Sequence, residues 1–274
     1  MAENYCLTRK YIGAGMTELA AIERKFQKMK ILIDTNIFHD FYRSKNESLR
    51  ILSKLTENSE SIILTEQIVN EFYRNRTKLL REVKKVFDSE SNVDSITSSF
   101  LDSLPDYQDF LQTHNQYKQK RQNIKHKIDE IISNISIDPV ASEFKQFVDK
   151  KITTEGIWPT SNSAIEKAQK RKYLGNPPNS EKYSIGDEIN WEVIIENSTD
   201  DIVIVGRDKT YNDNFEFLRY EFHKKTGKFI NLLTTRISEA FTFIGKDADQ
   251  LTELENKQLE ELREYSEYWK HLNE

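Results

Sequence analysis

A single cysteine, Cys6, stands among the 274 residues, so no disulfide can form within this chain. No Cys/His cluster has zinc-ligand spacing either, and the five scattered histidines read as surface or packing residues. Glycine and proline are also scarce, with 8 and 5 copies, and no Gly/Ser-rich or Pro-rich linker marks a domain boundary. No run of about 18 apolar residues exists, which excludes a membrane-spanning helix. The start, Met1 to Cys6, lacks the basic and apolar stretches of a secretory signal, so a reducing cytoplasm is the expected location.

What is present is charge. Charged residues make up 31% of the chain and hydrophobic residues 37%, a balance that suits a folded, helix-rich protein. The length accommodates one substantial domain with an insertion, or two small ones. A net charge of −5 argues against a protein that coats nucleic acid throughout, yet the charges are segregated. Arg74 to Lys85 holds six basic residues against Glu82 alone, and Lys118 to Lys127 holds five with no acid. Lys167, Lys170, Arg171 and Lys172 form a third cluster, whereas the last 28 residues, from Asp247, carry nine acids and three bases. Such segregation produces either a basic face on an acidic protein or three separate solvated helix faces.

Hydrophobic patterning gives the organisation. Leu19, Ile22 and Phe26 recur at helical spacing, so residues 1–28 are expected to form an accessory helix. Short continuous apolar runs follow at Ile31 to Ile33, Ile62 to Leu64, Ile202 to Val205 and, more weakly, Phe229 to Leu233. Runs of this kind suit strands of a parallel sheet covered on both faces. Helical patterns separate them, which predicts an α/β fold. Residues from about 76 to 170 break the rhythm, being polar and without a strand pattern, and read as a helical insertion within a domain spanning 29–245. Residues 246–274 read as an acidic helix with Leu251, Leu254, Leu262, Tyr265 and Trp269 near one face. That helix either packs back on the domain or docks a protein partner or a second copy; the insertion offers a similar surface.

Four acids carry the chemistry. Asp34 directly follows the first apolar run, and Asp208 follows the third after only Gly206 and Arg207. A carboxylate just past the end of a parallel strand faces the crevice where α/β sheets bind ligands. If the two strands are neighbours, both carboxylates reach one cation. Glu71 lies on the helix after the second run, three residues beyond Ile68, bordering the buried face or exposed to solvent. Asp187 is spaced from Ser184 like a helix N-cap and its partner, so it serves as a cap, a metal ligand or both. Four crowded carboxylates imply a cation or shifted protonation, and oxygen-only ligands favour Mg²⁺ or Mn²⁺ over zinc. Arg43, Arg171 and Arg207 are the candidates for holding phosphates, with Lys209 behind them.

The order of these motifs resembles the PIN-like domain family. Asp34-Thr35-Asn36 is similar to its opening motif, Glu71 to its helix glutamate, Asp187 to its third acid and Asp208 to its last. The phrases Ile185 to Glu192 and Asp201 to Asp208, with Lys225 to Leu233, are similar to a PIN-like subfamily of bacterial proteins. The resemblance implies a three-layer α/β/α fold with a central, mostly parallel sheet, a helical insertion and flanking terminal helices. It also implies a Mg²⁺- or Mn²⁺-dependent endoribonuclease that cleaves single-stranded RNA to leave a 5′-phosphate and a 3′-hydroxyl. Its catalytic and metal residues would be Asp34, Glu71, Asp187 and Asp208, with Thr35, Asn36, Arg43, Arg171 and Arg207 toward substrate. One departure is Gly206, where many of these domains carry Thr or Ser. Nucleic acid is the expected partner, RNA ahead of DNA, and an effector in a bacterial defence or toxin-like system is the expected setting. The alternatives are a binding module that does not cut and a DNA-directed structure-specific nuclease. An aspartate-nucleophile phosphatase is disfavoured, because its second Asp is replaced by Asn36.

Overall fold

The computed structural model describes residues 29–88, 98–178, 185–207 and 209–273, with the side chains of 271–273 left aside. The accessory helix expected over 1–28 lies outside the described residues. Four short strands form one all-parallel sheet: β1 (Lys30–Ile33), β2 (Ile62–Ile63), β3 (Ile202–Val205) and β4 (Ile230–Thr234). Their order is β2-β1-β3-β4. All four apolar runs of the sequence therefore became strands, and residues 31–33, 62 and 202–205 are buried almost completely. Such strands need cover on both faces, and a parallel neighbour is reached only through a crossover, so each strand is followed by helix.

Helices α1 (Thr35–His39) and α2 (Leu49–Glu57) connect β1 to β2. After β2 the long helix α3 (Glu66–Lys85) starts at Thr65, whose Oγ1 caps it by accepting from the Ile68 N–H. Then come α4 (Ser99–Asp102), α5 (Pro105–Ser133), α6 (Pro139–Thr154), α7 (Asn162–Leu174) and α8 (Gly186–Asn197) before β3. Helices α9 (Lys209–Asp213) and α10 (Phe215–Thr226) lead to β4, and α11 (Ile237–Phe243) and α12 (Asp249–Asn273) close the chain. Helices α2, α6, α11 and α12 pack among themselves, as do α3, α7, α8 and α10, giving the α/β/α arrangement. No helix among the described residues is long and apolar enough to cross a membrane.

The polar stretch from 76 to 170 has two characters in the structure. Helix α5 is amphipathic only weakly, and Ile128 is its one buried residue. Helix α6, in contrast, belongs to the main core: Phe144 and Phe147 are fully buried, and the Phe144 ring stacks on Phe72 with centroids 3.8 Å apart. A bridge between Thr65 and Trp158 also extends the sheet edge beyond β2.

Arg76 joins these parts. It is 5% exposed, and its Nε donates to Asp138 at 2.6 Å while its other nitrogens reach the carbonyls of Ile131 and Ile132 at the end of α5. Asp138 in turn caps α6 by accepting from Val140 and Ala141, and it accepts from the Tyr42 hydroxyl at 2.9 Å. A basic residue of the Arg74–Lys85 cluster is thus an internal strut. Removing one member of such a pair leaves the other charge buried without compensation. Arg76→Ala is expected to lower unfolding free energy by about 3–5 kcal/mol, read from urea denaturation; a loss under about 1 kcal/mol would refute the strut.

Candidate active site

The chain runs from β1 outward to β2 and then returns to the opposite side of β1 to form β3. This reversal is the topological switch point, where an open parallel sheet leaves a crevice beyond its strand ends. β1 and β3 are in register from Lys30 with Ile202 to Ile33 with Val205. The condition left open by the sequence is met: the two strands are neighbours. Asp34 follows β1 and donates its backbone N–H to Val205 at 2.9 Å, so it sits at the rim of the crevice.

The Asp34 side chain is 7% exposed, and Asn36 donates its amide to Asp34 Oδ2 at 3.1 Å. Thr35, also buried, donates its hydroxyl to Glu71 Oε2 at 3.4 Å. Glu71 is 24% exposed at the side chain, so it is the half-buried alternative of the two that its position allowed. Arg74, one turn on, approaches Glu71 at 3.8 Å. The same Glu71 oxygen lies 3.7 Å from where a Cβ on Gly186 would stand, and Gln67 Nε2 lies at 2.8 Å. The absence of a side chain at 186 therefore lets α8 approach α3 closely, and Asp187 follows in the first turn of α8. Glu71 bridges the residue after Asp34 and the residue before Asp187.

The cap of α8 is Ile185, with no side-chain cap bond, and Ser184 lies outside the described residues. Asp187 is thus placed in the first turn, where its charge complements the helix dipole. Two interactions hold α8 in place, and neither is evident in the sequence. Thr65 Oγ1 donates to Asn190 Oδ1 at 2.6 Å in a buried site, and Asn190 lies one turn beyond Asp187. A Thr just before a helix is a recognisable cap signal, but its second bond to Asn190 depends on tertiary packing. On the other side, Trp191 donates to Glu221 at 2.9 Å, and Arg171 binds Glu192, Glu221 and the Pro177 carbonyl. Hydrogen bonds from Arg171, Trp191 and Lys225 outweigh burial and bring the Glu221 carboxyl below its ordinary range.

Arg171 is only 4% exposed and its donors are committed to these acids, so it positions α8 and is not presented to a substrate. Its neighbours are largely neutralised too, since Lys167 pairs with Glu196 and Lys172 with Glu188, which leaves Lys170 as the cluster's cation without an ion pair among the described residues. Arg43 and Arg207 differ. Arg207, just past β3, binds Asp40, and Arg43 bridges Asp40 and Glu82 at 3.5 Å each. Burial raises the Asp40 carboxyl above its ordinary value, only partly offset by Arg207 and Arg43. Nearby, burial and then Arg43 hold His39 neutral, with its pKa lowered to about 4.

Asp208 lies outside the described residues. Among the described residues no three His, Cys, Asp or Glu side chains stand close enough to hold a metal ion. The donor chemistry around Asp34 and Glu71 is nonetheless oxygen only, the kind a hard divalent cation takes. Gly206 is in an ordinary backbone conformation, and a Cβ there would meet Tyr211 at 3.5 Å and Asp34 Cβ at 3.7 Å, ordinary contacts.

Residues 31–211 match a family model described as PIN domain. No curated protein and no solved structure matches the chain significantly.

Two outcomes test this geometry. Asn190→Ala leaves the buried Thr65 hydroxyl without its acceptor and is expected to cost about 1–3 kcal/mol in urea denaturation; an unchanged midpoint would refute the Thr65–Asn190 tie. Gly206→Ala is expected to keep stability or raise it by about 0.4–1 kcal/mol, and a fall of several kcal/mol would mean the glycine is sterically required.

Proposed function

Because the chain belongs to the PIN domain family, whose members are generally nucleases, we propose that it is a metal-dependent endonuclease acting on single-stranded RNA. The observation that carries this reading is that Thr35, next to Asp34 at the switch point, donates to Glu71, and that Glu71 lies against Gly186, the residue before Asp187 in the first turn of α8. Asp34, Glu71 and Asp208 would hold a Mg²⁺ or Mn²⁺ ion, and Asp187 would complete the site or position the attacking water. When bound, such an ion activates water and stabilises the leaving oxygen of a phosphodiester. Asn36 keeps the Asp34 carboxylate oriented through the 3.1 Å bond, and Thr35 does the same for Glu71. Arg43 and Arg207, paired with Asp40 beside the end of β1, are the candidate arginines that remain for a phosphate. Arg171 supports the site from behind through Glu192 and Glu221.

A second reading has its own support. Gly206, standing where many of these domains carry Thr or Ser, favours a module that binds nucleic acid with little or no cleavage. Duplex DNA with single-stranded branches is the remaining substrate class. An effector role in a bacterial defence or toxin-like system, in the cytoplasm, is the setting proposed for this activity.

Purified protein incubated with labelled single-stranded RNA, single-stranded DNA and branched duplex DNA, with Mn²⁺ or Mg²⁺ and with EDTA, separates these readings. Metal-dependent cleavage of RNA ahead of both DNA substrates is the expected result. Asp34→Asn is expected to lower that rate at least about a hundredfold while leaving the melting temperature within a few degrees. An undiminished metal-dependent rate in that variant would refute the site, and binding without cleavage by the wild type would favour the second reading.

A further inference from the structure

A groove of about 840 Å³ opens between the 40–43 turn, the end of α3 and the last turns of α12. Its volume falls in the range of sites that enclose a ligand of nucleotide size. Asp40, Arg43, Glu82 and Lys85 line one wall, and Leu262, Tyr265, Trp269 and Lys270 line the other. Tyr265 and Trp269 lie edge to face with centroids 6.1 Å apart, and Tyr268 meets Trp269 in the same way at 5.8 Å. Both groove aromatics are half-buried.

The charge along this groove is not what α12 suggests from composition. Helical spacing puts Leu262, Tyr265, Ser266 and Trp269 on one face and Glu264 and Glu267 on the opposite one. Other acids of the helix are turned inward to structural work. Glu255 is fully buried and accepts from the Ile237 and Ser238 N–H groups, and Glu261 accepts from Lys45 N–H and the Ser48 hydroxyl. Inside the groove, both acids, Asp40 and Glu82, are bound to Arg43. Among the described residues, Lys85 and Lys270 have no ion-pair partner.

The groove also connects to the site. Glu71, Arg74, Lys78, Arg81 and Lys85 follow one another at three- and four-residue steps, so they form one stripe along α3. That stripe runs about 21 Å from Glu71 to the aromatic wall, past a second depression lined by Arg74, Lys78 and Arg81. Among the described residues Lys78 and Arg81, like Lys85, pair with no acid. Unpaired cations in a row, ending at half-buried aromatic rings beside a cavity, match the chemistry of a single strand: phosphates along the row and a base on the rings.

We propose that the groove between α3 and α12 is a nucleobase-stacking subsite for single-stranded RNA, reached from the acidic site along the Arg74–Lys78–Arg81–Lys85 stripe. This rests on the nucleic-acid reading above, but its test is separable from catalysis. A base stacks on Trp269, Tyr265 or both, and Lys85 and Lys270 face the flanking phosphates. The C-terminal helix then sets where the strand lies relative to the acids.

The full-length protein is titrated in EDTA into a fluorescein-labelled 12-nucleotide oligouridylate, with the DNA counterpart and an abasic strand of the same length as parallel arms. Binding is followed by fluorescence anisotropy, and the melting temperature of each variant is checked first. Trp269→Ala and Tyr265→Ala are each expected to weaken RNA binding about tenfold, and Trp269→Phe to restore most of it. Lys85→Glu is expected to weaken all strands alike and to flatten the salt dependence. The abasic strand is expected to bind wild type no better than the base-bearing strand binds Trp269→Ala. If wild type binds RNA but Trp269→Ala and Tyr265→Ala bind it equally well, the subsite is refuted and the nuclease reading stands. If the abasic strand binds wild type as tightly as oligouridylate, the groove tracks phosphates only and stacking is refuted. Failure of wild type to bind any strand overturns the nucleic-acid reading itself, and with it this proposal.

Discussion

Asp34 donates its backbone N–H to the carbonyl of Val205, and this bond closes the parallel ladder between β1 and β3. The rest of the site depends on that pairing. It places the residue after β1 next to the chain leaving β3, at the one point where the sheet's winding reverses. The strands themselves are only two to five residues long. Most of the side chains around the strand ends therefore come from helices. Glu71 stands on α3 and Asp187 in the first turn of α8, and both helices are held by contacts remote from the acids themselves.

Those supporting contacts explain how a chain so rich in charge keeps a defined crevice. The Thr65–Asn190 bond and the Arg171–Glu192–Glu221–Trp191 network fasten α8 from two sides. Arg76 and Asp138 fasten α3 to the end of α5 and the start of α6. Buried polar groups of this kind are tolerated only when nearly every donor and acceptor is met. They specify helix placement more sharply than apolar packing alone, because each has few acceptable partners. The cost is sensitivity, since losing one partner strands a charge.

Charge is also where composition misleads. The Arg74–Lys85 cluster splits into a buried strut, Arg76, an ion pair from Lys84 to Asp129, an approach of Arg74 to Glu71, and three cations without an ion-pair partner among the described residues. In the Lys167–Lys172 cluster three of the four cations pair, with Glu188, Glu192 and Glu196. The acidic C-terminal helix turns two of its glutamates inward as caps. Net charge over a window says little about a face, because helical periodicity sends adjacent residues in different directions.

The sequence by itself determined the strands, since continuous apolar runs bounded by helical patterns have few other uses, and it determined the order of the acids along the chain. It placed Asp34 at a strand end because strand boundaries are local. Only the tertiary structure decided that β1 and β3 are neighbours, which no local pattern encodes. It alone decided that Arg171 is internal, that α6 belongs to the core, and that the aromatics of α12 face Lys85. Each of these depends on partners distant in sequence, and the energy that selects them comes from burial and pairing across the fold rather than from local propensity. The family likeness read from Asp34-Thr35-Asn36 and Ile185 to Glu192 is borne out by the match over residues 31–211, because those motifs sit where the fold constrains them most.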